Sequence, residues 1–294
     1  MAVLGAFPPG VCCRPIREDD LEGVIDCLSR GFPRRKHDYW TKALARLSQR
    51  PAVADFPRYG FALEDSGRIV GVMLTLYTLR HGPDGDSIRC NLSSWSADAE
   101  YRPFAAKLGA IVVRPKDVTF INISPAPGTL KINKAFGFRL FSDGQFAFLP
   151  ALNRSHPSSQ VLEIRPDLPE LALLPEDERY VLLEHRALGC LSLICMHEGR
   201  PVPFIFVQRR ILRGLVPCCQ VVYCRSLADL SRCAGALGRF LLRRGSLFCL
   251  VDAVGSVPGL FGHYFPGRGA KYFRGPQRPA LGDLTFTEIV VFGP

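Results

Sequence analysis

No C-x-x-C pair occurs in this chain, and the doublets Cys12-Cys13 and Cys218-Cys219 do not replace one. The common zinc-ligand spacing is therefore missing, and no metal site is expected. No apolar run approaches the roughly 20 residues needed to span a bilayer. The opening stretch, "MAVLGAFPPGVCCR", has a weak apolar patch but neither a basic start nor a cleavage site, so no secretory signal is expected. There is no H-E-x-x-H, no paired-carboxylate motif and no Ser-His-Asp order, which leaves metalloprotease and hydrolase chemistry without support. A long Lys/Arg block is absent too, although 37 basic residues against 27 acidic ones give a net charge of +10. The excess is scattered apart from "PRRK" at 33–36 and "LLRRG" at 241–245. A field of this sign favours anionic partners generally, with a solvated basic surface as the ordinary alternative, and without a Lys/Arg block neither nucleic acid nor a membrane is expected as partner.

What is present suits two domains. The chain has 294 residues, 47% of them hydrophobic and 22% charged, enough apolar material for two cores. Most of the eleven cysteines sit inside apolar runs such as "IDCLS", "GCLSLICM" and "LFCLV", where cysteine acts as a small hydrophobe. Such usage implies reduced thiols and a cytoplasmic location.

Along the first half, Leu21, Val24, Ile25 and Leu28 recur at helical spacing behind Asp19 and Glu22, which resemble a capping box. A second helix is predicted over 38–50, with Trp40, Ala43, Leu44 and Leu47 on one face and Pro51 as its stop. Two apolar runs around Asp65-Ser66-Gly67 predict a hairpin. The loop "HGPDGD" precedes a strand "IRCNLSSW", a helix over 102–112, a strand "VTFINIS" and a short helix in "PAPGTLKINKAFGF". "RLFSDGQFAFLP" reads as a closing hairpin.

The second half repeats this order: the strand-turn-strand "CLSLICMHEGRPVPFIFVQRRI", the strand "VPCCQVVYCRS", the helix "LADLSRCAGALGRFLLRRG" and the strand "SLFCLVDAV". The hairpin arginines Arg68 and Arg200 lie 132 apart (200 − 68), and Phe120 and Cys249 lie 129 apart (249 − 120). One supersecondary plan used twice is expected, with domains at 12–152 and 160–294 joined through "NRSHPSSQ".

This plan resembles the GNAT superfamily of acyl-CoA-dependent N-acyltransferases. "IREDDLEGVIDCL" is similar to its opening strand and first helix, "ADAEYR" at 97–102 to its V-x-P-x-Tyr-Arg turn, and "AFGF" at 135–138 to the Gly-Phe ending its last helix. The resemblance implies an α+β (α/β) fold of two GNAT-like domains, each a mixed, mostly antiparallel twisted sheet flanked by helices. It also implies a fourth strand splayed from the fifth, whose exposed backbone holds pantetheine, and a helix N-terminus facing the pyrophosphate. By that likeness Trp95, Ser96 and Ala97 contact pantetheine, while Arg102, Pro103, Phe104, Ala105, Ala106 and Lys107 surround the pyrophosphate. The co-substrate implied is acetyl-CoA or another acyl-CoA, with no metal, and the acceptor is a small-molecule amine.

The chain departs from the family pattern in two places. In the loop Arg/Gln-x-x-Gly-x-Gly/Ala, Ala105 stands at the first Gly position and Lys107 at the second. Alanine remains small and tolerates helical dihedrals, and Pro103 suits a first turn. The family mechanism is direct attack of an amine on the thioester, assisted by a base, a backbone N–H at the carbonyl and an acid for the thiolate. The acid is often a tyrosine four residues before the terminal Gly-Phe, and here that position is Asn133. Asparagine donates a hydrogen bond but no proton.

Asn122 and Ser124, at the end of "FINIS", are the nearest replacements, each with an ordinary alternative as a cap or turn residue before Pro125. Tyr101 sits at the turn, where its ring is expected to pack. The second half has no glycine loop and reads as a non-binding copy that helps shape an acceptor cleft. His185, Asp252, Asp283 and Glu288 are its candidates for touching an amine, with hydrogen-bonded structural roles as the ordinary alternative. "PGRGAKYFRGP" at 266–276 reads as a Gly/Pro-rich surface loop, with anion binding as its alternative. Two readings of function stay open: an acyltransferase, and a catalytically inactive acyl-CoA-binding or regulatory module. A basic nucleic-acid- or membrane-surface protein rests on the net charge alone. Acceptor identity and oligomeric state are not encoded in any motif.

Overall fold

The computed structural model describes residues 6–82, 85–211 and 216–293. Residues 1–5, part of the stretch read for a signal, and residues 83 and 84 of the loop "HGPDGD" lie outside the described residues. The chain begins with β1 (Val11–Pro15), α1 (Leu21–Gly31), α2 (His37–Ser48), β2 (Gly60–Asp65), β3 (Arg68–Arg80) and β4 (Ser87–Ala97). Next come α3 (Arg102–Val112), β5 (Val118–Asn122), α4 (Leu130–Ala135) and β6 (Arg139–Phe148). The second half contributes β7 (Gln160–Glu163), α5 (Glu176–Ala187), β8 (Leu191–His197), β9 (Arg200–Ile211), β10 (Val216–Cys224) and α6 (Leu227–Leu242). It closes with β11 (Phe248–Ala253), β12 (Gly262–Arg274) and α7 (Glu288–Val291). No helix among the described residues is long and apolar enough to cross a membrane.

The chain forms two compact units. Unit 1 comprises the described residues through Arg139 with Tyr272–Arg278 and Val291–Gly293; unit 2 comprises Leu140–Lys271 with Pro279–Val290. Unit 1 has the strand order β1-β2-β3-β4-β5-β12, where β1 to β4 run antiparallel, β5 joins β4 in parallel and the end of β12 runs antiparallel to β5. Unit 2 repeats it as β7-β8-β9-β10-β11-β6, with β10 and β11 parallel and β6 antiparallel to β11, and β12 lies beyond β6. Each unit is a mixed, mostly antiparallel sheet with helices packed on it, an α+β architecture. Each also takes a strand from the other half of the sequence.

That exchange corrects three expectations. The boundaries 12–152 and 160–294 do not match the compact units, because residues 140–152 fold with the second half and Tyr272–Arg278 with the first. "RLFSDGQFAFLP" is one continuous strand rather than a hairpin. Asp143-Gly144 between apolar runs is a turn signal, but here Gly144 serves close approach: a Cβ on it would lie 2.5 Å from the Phe265 carbonyl oxygen. The segment 266–276, expected as a surface loop, supplies most of the end of β12. Its exposed, glycine-broken sequence follows from strand residues largely open to solvent, with Gly267 and Gly269 at positive φ.

The local signals hold elsewhere. Ser66 and Gly67 have φ of 49° and 87°, both left-handed, as a two-residue hairpin turn requires. Gly137, at φ 81°, closes α4 by donating its N–H to the Lys134 carbonyl while Phe138 donates to Asn133. The "AFGF" pattern is this cap. The helix start in "IREDD" is set differently from the expected Asp19 and Glu22. Asp20 accepts the Arg17 N–H at 2.7 Å and a bidentate pair from the Arg14 guanidinium at 2.5 and 2.7 Å, while Arg14 also pairs with Glu64. One arginine thus ties β1, β2 and the entry to α1 together.

Each unit has its own core. In unit 1, Leu63, Val70, Cys90, Leu108, Val112, Phe120 and Phe138 pack together; in unit 2, Phe146, Phe148, Phe204, Phe206, Leu237 and Val251 do so. Nine of the eleven thiols are buried and all are free. Burial pushes Cys27 up to about 11, which suppresses thiolate chemistry there. In unit 2 the Lys271 ammonium lies 2.7 Å from Asp252 Oδ1 and 2.9 Å from the Gly269 carbonyl, with both side chains almost fully buried. Removing either partner leaves a charge in a low-dielectric interior.

Two outcomes follow. Lys271→Met is expected to destabilise the chain by about 3–5 kcal/mol in urea unfolding, and Asp252→Leu added to it to recover most of the loss. The Arg14 guanidinium holds the Asp20 carboxyl below the usual carboxylate range. That stability is present above the unfolded carboxyl pKa, about 3.9, and is lost as pH falls through the lower folded value. Urea midpoints should therefore drop more steeply between neutral pH and pH 3 in the natural chain than in Asp20→Asn.

Candidate functional site

The parallel ladder between β4 and β5 is short. It pairs Ile88 with Val118, Arg89 with Thr119, Cys90 with Phe120 and Asn91 with Ile121, and then stops. At that point the buried Asn91 side chain donates from Nδ2 to the Leu92 carbonyl at 2.9 Å and the Ile121 carbonyl at 3.4 Å. Its amide satisfies carbonyls from both strands where they part. Beyond it β4 runs on to Ala97 with no strand partner on its β5 side among the described residues. On the β3 side the register slips between Val72 and Leu74, a bulge that places Ser94 at φ 51°. The result in unit 1 is a forked sheet with one bare backbone edge.

Neighbouring elements fix this edge. Gly31, last residue of α1, lies against Ser96 so closely that a Cβ would overlap the serine side chain. One residue earlier, Arg30 grips Asp98 with two bonds of 3.0 and 2.9 Å and reaches the Ile69 carbonyl at 3.3 Å. Arg68 stands 3.9 Å from the same carboxylate. The Tyr101 hydroxyl donates to Asp65 at the hairpin turn, which lowers the Asp65 carboxyl and raises the tyrosine. Tyr101 also packs on the unit 1 core, the role expected for its ring. The turn from β4 to α3 is thereby held from α1 on one side and from the hairpin on the other.

Helix α3 then starts with no side-chain cap and no acidic residue in its first turn, with Pro103 near its start. A 3-10 turn, Ala99–Tyr101, leads into it, the Tyr101 N–H is given to the Asp98 carbonyl at 2.9 Å and Pro103 has none, so an anion there would meet chiefly the Phe104 N–H and the helix dipole. Trp95, Ser96 and Ala97 are half-buried, Arg102 and Pro103 are exposed, and Phe104, Ala105, Ala106 and Lys107 are half-buried. Lys107 sets its ammonium 4.0 Å from the centre of the Phe7 ring, and Phe7 meets Phe104 at 6.1 Å. Its charge is therefore engaged by an aromatic face from the N-terminal segment, a contact absent from the sequence reading.

The remaining candidates divide into two groups. Trp95 and Phe136 converge over Gly109, where a Cβ would come within 3.1 Å of the indole and 2.8 Å of the phenyl ring. Asn133 lies one turn before Phe136 on α4, and its exposure is 2%. Both the Trp95 indole N–H and the Asn133 amide nitrogen are buried without a hydrogen-bond partner. Such orphaned donors are costly to leave unmade, by about 1–3 kcal/mol each. Asn122 closes β5 opposite Tyr272 of β12, while Ser124 is exposed beyond the strand end. Tyr272, Arg30 and Gly31 went unread because each acts through a contact with a distant part of the sequence.

Unit 2 has the same fork with a different fate. Its parallel ladder ends at Gln220 and Leu250, residues that lie 129 beyond Asn91 and Ile121 (220 − 91, 250 − 121). Gln220 repeats the amide bond to the next carbonyl, Val221, at 3.4 Å and accepts from Gln145 at 3.3 Å. Here the edge is covered by the chain itself: Leu284 donates to the Val222 carbonyl at 2.7 Å and Cys224 to the Gly282 carbonyl at 3.0 Å, bridging Tyr223 to Asp283. Helix α6 is capped by Ser226, which accepts the Asp229 N–H at 3.1 Å, and Asp229 adds an acid to the first turn.

The candidate amine contacts in this unit are structurally engaged. His185 has Nδ1 at 2.7 Å from the Val181 carbonyl, and its Nε2 accepts from the Phe286 N–H at 3.0 Å. Asp252 pairs with Lys271, and Asp283 takes both the N–H and the hydroxyl of Thr285. Glu288 is half-buried at the start of α7.

No family model matches the sequence, and no curated protein matches it significantly. Solved structures do match. A putative acetyltransferase from Pyrococcus horikoshii aligns over 96% of this chain and 95% of its own at 11% identity, with a TM-score of 0.57. A GCN5-related N-acetyltransferase from Anabaena variabilis aligns over 90% of this chain and 72% of its own at 10% identity, with a TM-score of 0.60. One from Kribbella flavida gives 90%, 70%, 12% and 0.55. At these identities the likeness is one of fold, and over at least 90% of its length the chain has the fold of the GCN5-related N-acetyltransferases.

Proposed function

We propose that unit 1 binds an acyl-CoA at the β4–β5 fork and transfers the acyl group, acetyl or longer, to a small amine by direct attack in a ternary complex. The observation that carries this reading is the bare edge of β4 running into an uncapped, acid-free helix start. A pantetheine arm supplies amide donors and acceptors that match an unpaired strand edge, and a pyrophosphate matches free helical N–H groups. The orphaned donors at Trp95 and Asn133 fit the same group, since they face a shortage of acceptors.

The roles follow from position. Backbone of Trp95, Ser96 and Ala97 would hold pantetheine. Around the pyrophosphate, Phe104 would bring its N–H, Ala105 and Ala106 small side chains that let a phosphate approach, Arg102 would add charge, and Pro103 would contribute shape without a donor. Lys107, with its ammonium over Phe7, would act by holding the N-terminal segment against α3. Asn122 and Ser124 would orient the reacting groups beyond the end of β5, and Asn133 would donate a hydrogen bond from α4. Acyl-CoA supplies the activated thioester; this chain's residues bind it, exclude water and aim the amine. Unit 2, whose edge is occupied by residues 282–284 and whose helix is capped, would bind none. Burial of nine of the eleven thiols agrees with a reducing, cytoplasmic setting.

A second reading, binding without turnover, is favoured by the burial of Asn133, which cannot give a proton to a leaving thiolate. Thermal unfolding with acetyl-CoA, CoA and longer acyl-CoAs separates the cases. At 100 times Kd a ligand of the native state adds about 2.7 kcal/mol, and calorimetry should show one site per chain. Absence of any shift rejects both readings. Two sites per chain would refute the closed state assigned to unit 2. Ala105→Glu is expected to abolish the shift while leaving the unliganded melting temperature within a few degrees, because an acid near a helix start is tolerated.

A further inference from the structure

We infer that Tyr272, delivered to unit 1 by the exchanged strand, is the general acid that protonates the leaving thiolate; this inference rests on the transfer reading above. Three observations carry it. Tyr272 pairs with Asn122, the last residue of β5, and Ile121 beside it is where β4 departs. The Tyr272 backbone thus lies one strand spacing, about 4.8 Å, from the strand that borders the fork. Residues opposite each other on paired strands point to the same face, and the Tyr272 ring packs against the same core cluster as Trp95 and Phe136. It therefore lies on the side of the sheet that carries the orphaned Trp95 donor.

The third observation is chemical. Other tyrosine hydroxyls are committed to carboxylates: Tyr101 to Asp65, Tyr223 to Glu178 and Tyr264 to Asp143. All three are raised from their ordinary value, Tyr101 and Tyr264 chiefly by that bond and Tyr223 chiefly by burial and then by Glu178. Among the described residues the half-buried Tyr272 has no hydrogen-bond partner for its hydroxyl. Its place is fixed within unit 1, since the next residues of β12, Phe273 and Arg274, pair with Ile121 and Phe120 of β5. An uncommitted phenol on a strand held in register beside β5 suits proton delivery.

The step balances as follows. The amine nitrogen bonds to the thioester carbonyl carbon, and the C–S bond breaks with its electron pair on sulfur. The Tyr272 O–H proton passes to that sulfur. The nitrogen loses one proton to water, and the phenolate takes one back from water.

Tyr272→Phe tests this directly, because it removes no hydrogen bond present in the free chain. Thiol release from acetyl-CoA is measured with an amino sugar, a diamine and a peptide N-terminus, beside the acetyl-CoA thermal shift. The expected result is an unchanged shift and melting temperature and a fall in kcat of about 10²–10⁴-fold. A variant within threefold of the natural rate overturns the inference and leaves the transfer reading standing. A variant that loses the acetyl-CoA shift overturns it too, placing Tyr272 in binding. If the natural chain shifts but releases no thiol with any acceptor, transfer itself fails and the inference fails with it.

Discussion

The site depends on where the parallel ladder between β4 and β5 ends. Two strands joined side by side satisfy each other's peptide groups, and a backbone group left alone in a folded protein is expensive. Asn91 makes early parting possible, because its side-chain amide caps the Leu92 and Ile121 carbonyls at the point of divergence. Beyond it the β4 edge keeps its unmade bonds. Arg30, Gly31 and Tyr101 then hold that edge and its turn in place without filling it. The open edge is thus a maintained feature, built by residues that individually look structural.

Unit 2 shows what happens when the same constraint is resolved internally. Gln220 occupies the equivalent position and makes the equivalent bond to the following carbonyl. Residues 282–284 then lie along the freed edge of β10, exchanging backbone hydrogen bonds with Val222 and Cys224. Ser226 and Asp229 complete the closure by satisfying the helix start from within. The two units therefore share a backbone plan and differ in whether the chain itself supplies the missing partners.

Much of this was legible locally. The helical stripes of α1 and α2, the Ser66-Gly67 turn, the helix over 102–112 and the Gly-Phe cap are short-range signals, and each stands where the sequence puts it. The fork was legible only through the family resemblance, since no residue pattern in "NLSSWSA" marks the end of a ladder. Other features depend on contacts far apart in the chain. Asp143-Gly144 has the same appearance whether glycine turns the chain or admits a neighbouring backbone, and only β12 decides between them. The exposed, glycine-rich 266–276 reads as loop because an outlying strand buries too little to show alternation. The capping-box reading missed by two residues, because Asp20, held by Arg14 from another element, takes the role expected of Glu22 and closes on the Arg17 N–H.

The strand exchange gives the duplication a physical consequence. In unit 1 the strand beside β5 is the last part of β12, so the second half through Lys271 precedes its arrival. A chain ending after α4 would leave β5 with an open outer edge and would lack Tyr272 altogether. Unit 2 likewise completes its sheet with β6, which is synthesised before the rest of it. Neither half of the sequence encodes a whole unit. The closed fork of unit 2 is therefore no sign of a dispensable copy, because β12 continues from that unit into the sheet of the open one. A closed fork and a retained scaffold are compatible, because completing a sheet requires strand register and leaves the fork free to close.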